Sequence, residues 1–174
     1  MSEQIDKTKS ERIAEEVKKR SGQKQIVDVE EKKVKLVIFT LNDSYYAFHG
    51  EDVKEILPLA KIYFVPGSPE FILGIVNVRG DIQSVLDIKN FMGLSGSKRT
   101  EASRIVIAER NGVRSGVIVD SVEDVLDVPE SSIQRVISTL SDHVKFFVAG
   151  ETEYKNRNVT LLDVGKVFEK ISSD

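Results

Sequence analysis

The sequence predicts a mainly β protein in which two small five-stranded β-barrels pack side by side, with short helices and a C-terminal helix. Three observations lead to that reading. Runs rich in β-branched and aromatic residues, punctuated by turn residues, recur from Val34 to Val164. The segment 36–57 reappears, class of residue for class of residue, at 105–126. A sheet of about five short strands leaves two edges open to aggregation, and closing each sheet into a barrel removes them.

Residues 1–33 carry dense charge of both signs and almost no large apolar side chains. Ile5, Ile13 and Val17 make only a narrow stripe, whereas a packed helical face offers about three or four apolar residues per two turns. A charged N-terminal tail, mobile or weakly helical, is therefore expected ahead of a domain over 34–173. From Val34 the texture changes. "VKLVIFTL" and "YYAFHG" are strands joined by "NDS", a hairpin. In "EDVKEIL", Val53, Ile56 and Leu57 fall at helical spacing and predict a short helical turn. "KIYFV" predicts another strand, closed by the "PGSP" loop. "LGIVNVRGDIQSVLDI", residues 73–88, is two strands around a tight turn, and "KNFMG" ends a first subdomain spanning about 34–93. "LSGSKRTEAS" has linker composition. A second subdomain follows over about 103–163, and a helix over 164–172 sets Val164, Val167, Phe168 and Ile171 on one face to plug a barrel end or the groove between barrels.

The two subdomains are copies. A constant shift lays Leu36-Val37-Ile38 on Ile105-Val106-Ile107, Asn42-Asp43 on Asn111-Gly112, and Val53 to Leu57 on Val122 to Leu126. A slightly longer shift lays Gly74 on Gly150 and Val85-Leu86-Asp87-Ile88 on Leu161-Leu162-Asp163-Val164. Such a period is too long for a solenoid and fits two small β units packed together.

Composition narrows the function. The 174 residues are 40% hydrophobic and 30% charged, enough for a core in one ordinary domain or two small units. A net charge of −3 argues against nucleic-acid binding, which needs a basic face. With no cysteine, disulfides and thiolate metal sites are excluded. Neither a signal peptide nor a run of about 20 apolar residues is present, so a cytoplasmic protein is expected. His49 and His143 stand apart without a carboxylate pattern, and no zinc-protease, phosphate-loop, dinucleotide or nucleophile-elbow motif occurs. Asp87 and Asp163 recur at matched places before short helices, which is how helix caps behave. No catalysis, cofactor or metal is expected.

One stretch resists a purely structural reading. Where the first copy has Asn77-Val78-Arg79-Gly80, the second has Glu153-Tyr154-Lys155-Asn156. A requirement of the fold should appear in both copies. Gly80 and Asn156 both tolerate positive φ, but Asn77 and the planar fork of Arg79 have no counterpart, and Arg is suited to recognition hot spots.

"VPGSPEFILGIVNVRGDIQSVLDI" resembles the central motif of the CheW-type chemotaxis coupling proteins: a proline-containing loop, a G-[IV]-x-N-x-R-G hairpin, then an apolar strand ending in Asp. "VIFTLNDSYYAF" followed by "VKEIL" is similar to the family's opening, and the resemblance spans about 34–171. It implies two five-stranded SH3-like barrels. It also implies a non-enzymatic adaptor joining the cytoplasmic tip of a methyl-accepting chemoreceptor to the regulatory domain of the chemotaxis histidine kinase, in membrane-associated receptor arrays. The receptor-binding residues it implies are Val53, Gly74, Asn77, Arg79 and Gly80, beside a groove between the barrels; it points to no residues for the kinase face. The readings set against it are a CheW-like scaffold of a non-chemotactic two-component system, a small enzyme with a pocket between the barrels, and a nucleic-acid-binding pair of small barrels.

Overall fold

Two barrels arise from the ten strands found among the described residues, but neither barrel belongs to one half of the chain. The computed structural model describes residues 9–22, 30–96, 98–135 and 139–173, and the chain divides into the units Met1–Glu30 and Glu31–Asp174. The first unit contains helix α1 (Lys9–Gly22), with Ile13 and Val17 exposed; Ile5 lies outside the described residues.

The second unit holds β1 (Lys33–Leu41), β2 (Ser44–His49), β3 (Val53–Pro58), β4 (Ile72–Val78), β5 (Asp81–Leu86), α2 (Lys89–Met92), β6 (Arg104–Arg110), β7 (Val113–Val119), β8 (Ser121–Pro129), α3 (Asp142–Lys145), β9 (Val148–Tyr154), β10 (Arg157–Leu162) and α4 (Val164–Ser172). One sheet runs β8-β1-β2-β10-β9 and the other β3-β6-β7-β5-β4. Replacing each strand by its repeat counterpart converts the first order into the second. The repeat is thus written in the topology, with an exchange: each sheet joins the opening hairpin of one copy to the last three strands of the other. This corrects the expectation of contiguous subdomains over 34–93 and 103–163. Strand partners far apart in sequence leave no local trace in the residues that pair.

Each sheet closes through one backbone bridge. Tyr63 and Ile75 exchange N–H···O bonds of 2.8 and 2.9 Å, and at the matching place in the other sheet Gln134 and Glu151 exchange two of 2.8 Å. "KIYFV" is therefore not a strand. It contributes one bridging residue and leaves Tyr63, Phe64 and Val65 exposed. The helical turn expected over "EDVKEIL" is likewise corrected. Only Gly50–Asp52 forms a 3-10 turn, and Val53–Pro58 is a strand. A bulge between Val53 and Glu55 inserts a residue into the pairing with β6, so apolar side chains recur at a spacing that imitates a helix.

Each barrel has its own apolar interior, Leu36, Ile38, Ala47, Tyr154 and Leu161 in one, Val76, Val78, Val85, Ile105 and Ile118 in the other. The largest cluster lies between them. Phe39, Leu41 and Phe48 of one sheet meet Val106, Val117 and Val119 of the other, with Met92, Phe147, Val167 and Phe168 from the helical segments. The strands of "VKLVIFTL" and "RIVIA" are thus buried on both faces, which explains their nearly continuous apolar runs. α4 buries Val164, Val167 and Phe168 in this shared core, with Ile171 packed at its edge.

Candidate functional site

The turn between β4 and β5 is built from two residues in the left-handed region, Arg79 at φ 54° and Gly80 at φ 93°. The other two-residue hairpins do the same at Asn42-Asp43, Asn111-Gly112 and Lys155-Asn156. Paired positive φ values match the right-handed twist of the flanking strands. Asn77 belongs to this turn: its Oδ1 accepts the Gly80 N–H at 2.8 Å. Turn chemistry therefore accounts for an amide that the sequence left unexplained.

Arg79 is different. Its side chain is 83% exposed and its Nη2 donates to Glu55 Oε1 at 2.8 Å. The fork makes this one ion pair among the described residues. β3 and the β4–β5 hairpin lie on opposite edges of the sheet, so Glu55 brings the hairpin tip to β3 as the barrel closes. Val53, the other candidate on β3, is half-buried against the shared core. Ile82 pairs with Asn77 across the hairpin and is 60% exposed, an apolar side chain open to solvent on the same hairpin.

Gly74 serves closure. It sits at φ 144°, and a Cβ there would collide with the Tyr63 carbonyl of the closing bridge. Gly150 is its counterpart, with Gln134 O and Ile133 Cγ2 each 2.8 Å from a Cβ position. Gly74 thus shapes the barrel whose rim carries Arg79. The cap reading holds for one of the paired aspartates: Asp163 is the N-cap of α4 and its Oδ1 accepts the Lys166 N–H at 3.1 Å, whereas Ile88 is the N-cap of α2 and Asp87 Oδ1 accepts the Lys89 N–H two residues on, at 3.1 Å. His49 is half-buried at the end of β2 and His143 is exposed in α3. Among the described residues no His, Cys, Asp and Glu group is arranged to hold a metal ion, and no helix is long and apolar enough to cross a membrane.

Glu55, 24 residues from Arg79, carries no local mark of this role. A signal was present in the repeat, which sets Asp124 at the matching position of β8. Asp124 Oδ2 accepts the Tyr154 hydroxyl at 3.0 Å, so an acid braces the closing hairpin in both barrels. The exposed Tyr63 and Phe64 were also missed, because "KIYFV" read as a strand.

Comparison with known proteins decides the family. A family model described as a CheW-like domain matches residues 35–172. The chain belongs to the CheW-like domain family. It is 30% identical over 139 residues to the chemotaxis protein CheW of Bacillus subtilis, covering 80% of this chain and 89% of that one. To CheW of Rhizobium meliloti it is 26% identical, covering 76% and 86%. Among solved structures it matches the scaffolding protein TtCheW of Thermoanaerobacter tengcongensis with TM-score 0.69 and 32% identity, covering 76% of this chain and 86% of that one. The two-barrel SH3-like architecture is that of the CheW-like fold, and the chain is a non-enzymatic scaffold of the chemotaxis type.

Proposed function

We propose that this CheW-like scaffold couples chemoreceptors to the chemotaxis histidine kinase. It binds the receptor's cytoplasmic tip through the β4–β5 hairpin and the rim of the seam between barrels, and the kinase regulatory domain through another face. It acts in the cytoplasm and is held at the membrane only through receptors. The observation that carries the reading is the Arg79 guanidinium, presented to solvent on a rigid two-residue turn while Glu55 anchors it from behind. The seam itself is filled by the shared core, so a receptor helix rests along its rim, laying apolar residues beside Val53 and Ile82. Arg79 sets the register through carboxylates or helix-end carbonyls. With two partners on two faces, receptor state biases the scaffold's contacts and those contacts bias the kinase.

The test is a reconstitution. The protein is mixed with a histidine kinase and a receptor fragment from the same cell, and kinase autophosphorylation is measured. Receptor-dependent phosphorylation that requires the scaffold is expected; phosphorylation indifferent to the scaffold overturns the reading.

A further inference from the structure

The repeat places two equivalent seats in the molecule, and only one is filled. In the first, the chain leaves α2 at Gly93, which adopts φ 70°, and turns back against the β1–β2 hairpin. Leu94 N–H donates to Lys89 O at 3.0 Å, and Leu94 packs against the shared core. Asn42 Nδ2 donates to Ser95 O at 2.8 Å and lies 3.3 Å from its Oγ. The extended Leu94-Ser95 segment thus occupies the space between a hairpin turn and a helix.

In the second, Asn111 takes the place of Asn42 and α4 that of α2. Glu169 stands where Gly93 stood, so α4 continues to Ser172 instead of turning. The corresponding space is an open cleft of about 520 Å³, with Asn111, Val113, Gly165, Phe168, Glu169 and Ser172 among its walls. Phe168 is 2% exposed and forms an apolar floor, and Val113 is 42% exposed at the lip. The Asn111 amide makes no hydrogen bond to a described residue. Gly165 replaces Lys89, and the Arg110 side chain passes there, its Cγ 3.5 Å from a Cβ position at Gly165. Arg110 is neutralised by Asp52 at 2.8 Å and Glu51 at 3.1 Å, and the Lys166 ammonium lies 5.4 Å from the Phe146 ring centroid. What remains empty is the linker's seat, not the lysine's, and its cations are already engaged.

The geometry points to a docking seat in which this cleft takes an extended, uncharged segment of a partner protein. The segment carries an apolar residue followed by Ser or Thr. The apolar side chain packs on Phe168 and Val113, and the next backbone carbonyl accepts the Asn111 Nδ2–H. Its chemistry is that of the chain's own Leu94-Ser95.

A capped peptide of sequence MGLSG, titrated into the isotopically labelled full chain and followed by amide NMR, tests this. Saturable shifts are expected at the Asn111 side-chain amide, Gly112, Gly165 and Glu169, and a scrambled peptide should produce none. Asn111→Asp keeps a residue that tolerates positive φ but removes the donor, and should weaken binding at least about fivefold with an unchanged melting temperature. Ser172→Arg blocks the cleft without touching the turn and should abolish the shifts should the first variant unfold. No saturable shift, shifts confined to Asn42 and Ser95, equal binding of the scrambled peptide, or retained binding by folded Asn111→Asp or Ser172→Arg would each overturn the proposal.

Discussion

The Arg79 guanidinium and the Glu55 carboxylate meet at 2.8 Å with unequal exposure, 83% for the base and 20% for the acid. The acid is held by the strand and the base is offered to solvent. In the other barrel, Asp124 and Tyr154 make the corresponding brace with no guanidinium. The bracing is common to both barrels, while only Arg79 sets a guanidinium within the turn and on the bracing acid; Arg157 of the other hairpin follows its turn and donates to the Asp43 carbonyl.

Replacing Arg79 by Ala should leave the fold intact, because an exposed ion pair contributes no more than about 1 kcal/mol. Receptor binding should weaken by about 1 to 3 kcal/mol, as for an interface hot spot, with kinase binding unchanged. Glu55→Gln should weaken receptor binding less, since it loosens the guanidinium without removing it. Pulldown with receptor fragments and with kinase, alongside thermal melting, reads all three quantities.

Gly74→Ala should act through stability. Positive φ and collision with the Tyr63 carbonyl together cost about 2 to 5 kcal/mol. Gly150→Ala, with contacts of 2.8 Å and no positive φ, should cost about 1 to 3 kcal/mol. Urea unfolding of the two variants checks the order. A loss of receptor binding in Gly74→Ala should scale with the unfolded fraction.

Lys89 is 3% exposed and pairs with Asp120, whose Oδ2 also accepts the Asn42 N–H at 2.8 Å. The three residues join α2, the β7–β8 junction and the β1–β2 turn, and so both sheets. Lys89→Ala leaves Asp120 without its ammonium partner and opens a void, so a loss on the order of 3 kcal/mol is expected. Lys89→Met, which keeps the volume, should lose less. Chemical denaturation of both variants separates charge from packing.

Burial raises the Tyr46 hydroxyl above its ordinary value of 10.0. The folded state then holds that proton more tightly than the unfolded chain. Stability from this group is present below about pH 10 and falls as pH rises past it. Tyr46→Phe should flatten that alkaline decline while leaving neutral stability nearly unchanged, as urea midpoints at about pH 8 and about pH 11 would show.

The strands with period-two or two-sided burial were legible in the sequence, as were α4, the repeated aspartates and the hairpin turns, because each is written in neighbouring residues. β3 was misread because its bulge altered the local period. Asn77 was separated from its turn because the second copy builds the same geometry from Lys155 and Asn156, with Glu153 where the bond-accepting amide stood. Arg79 was legible as an exposed cation, but Glu55 lies 24 residues away and joins it only once the barrel has closed.

The reciprocal exchange of strands also bears on how the molecule comes into being. During synthesis β1 and β2 emerge first, yet their sheet waits for β8, β9 and β10. The first five strands therefore cannot ripen into a finished half while the remainder is still being made. The nascent chain must hold long-range partners open until β10 has left the ribosome, a slow, non-local route that binds the fate of each barrel to that of the other.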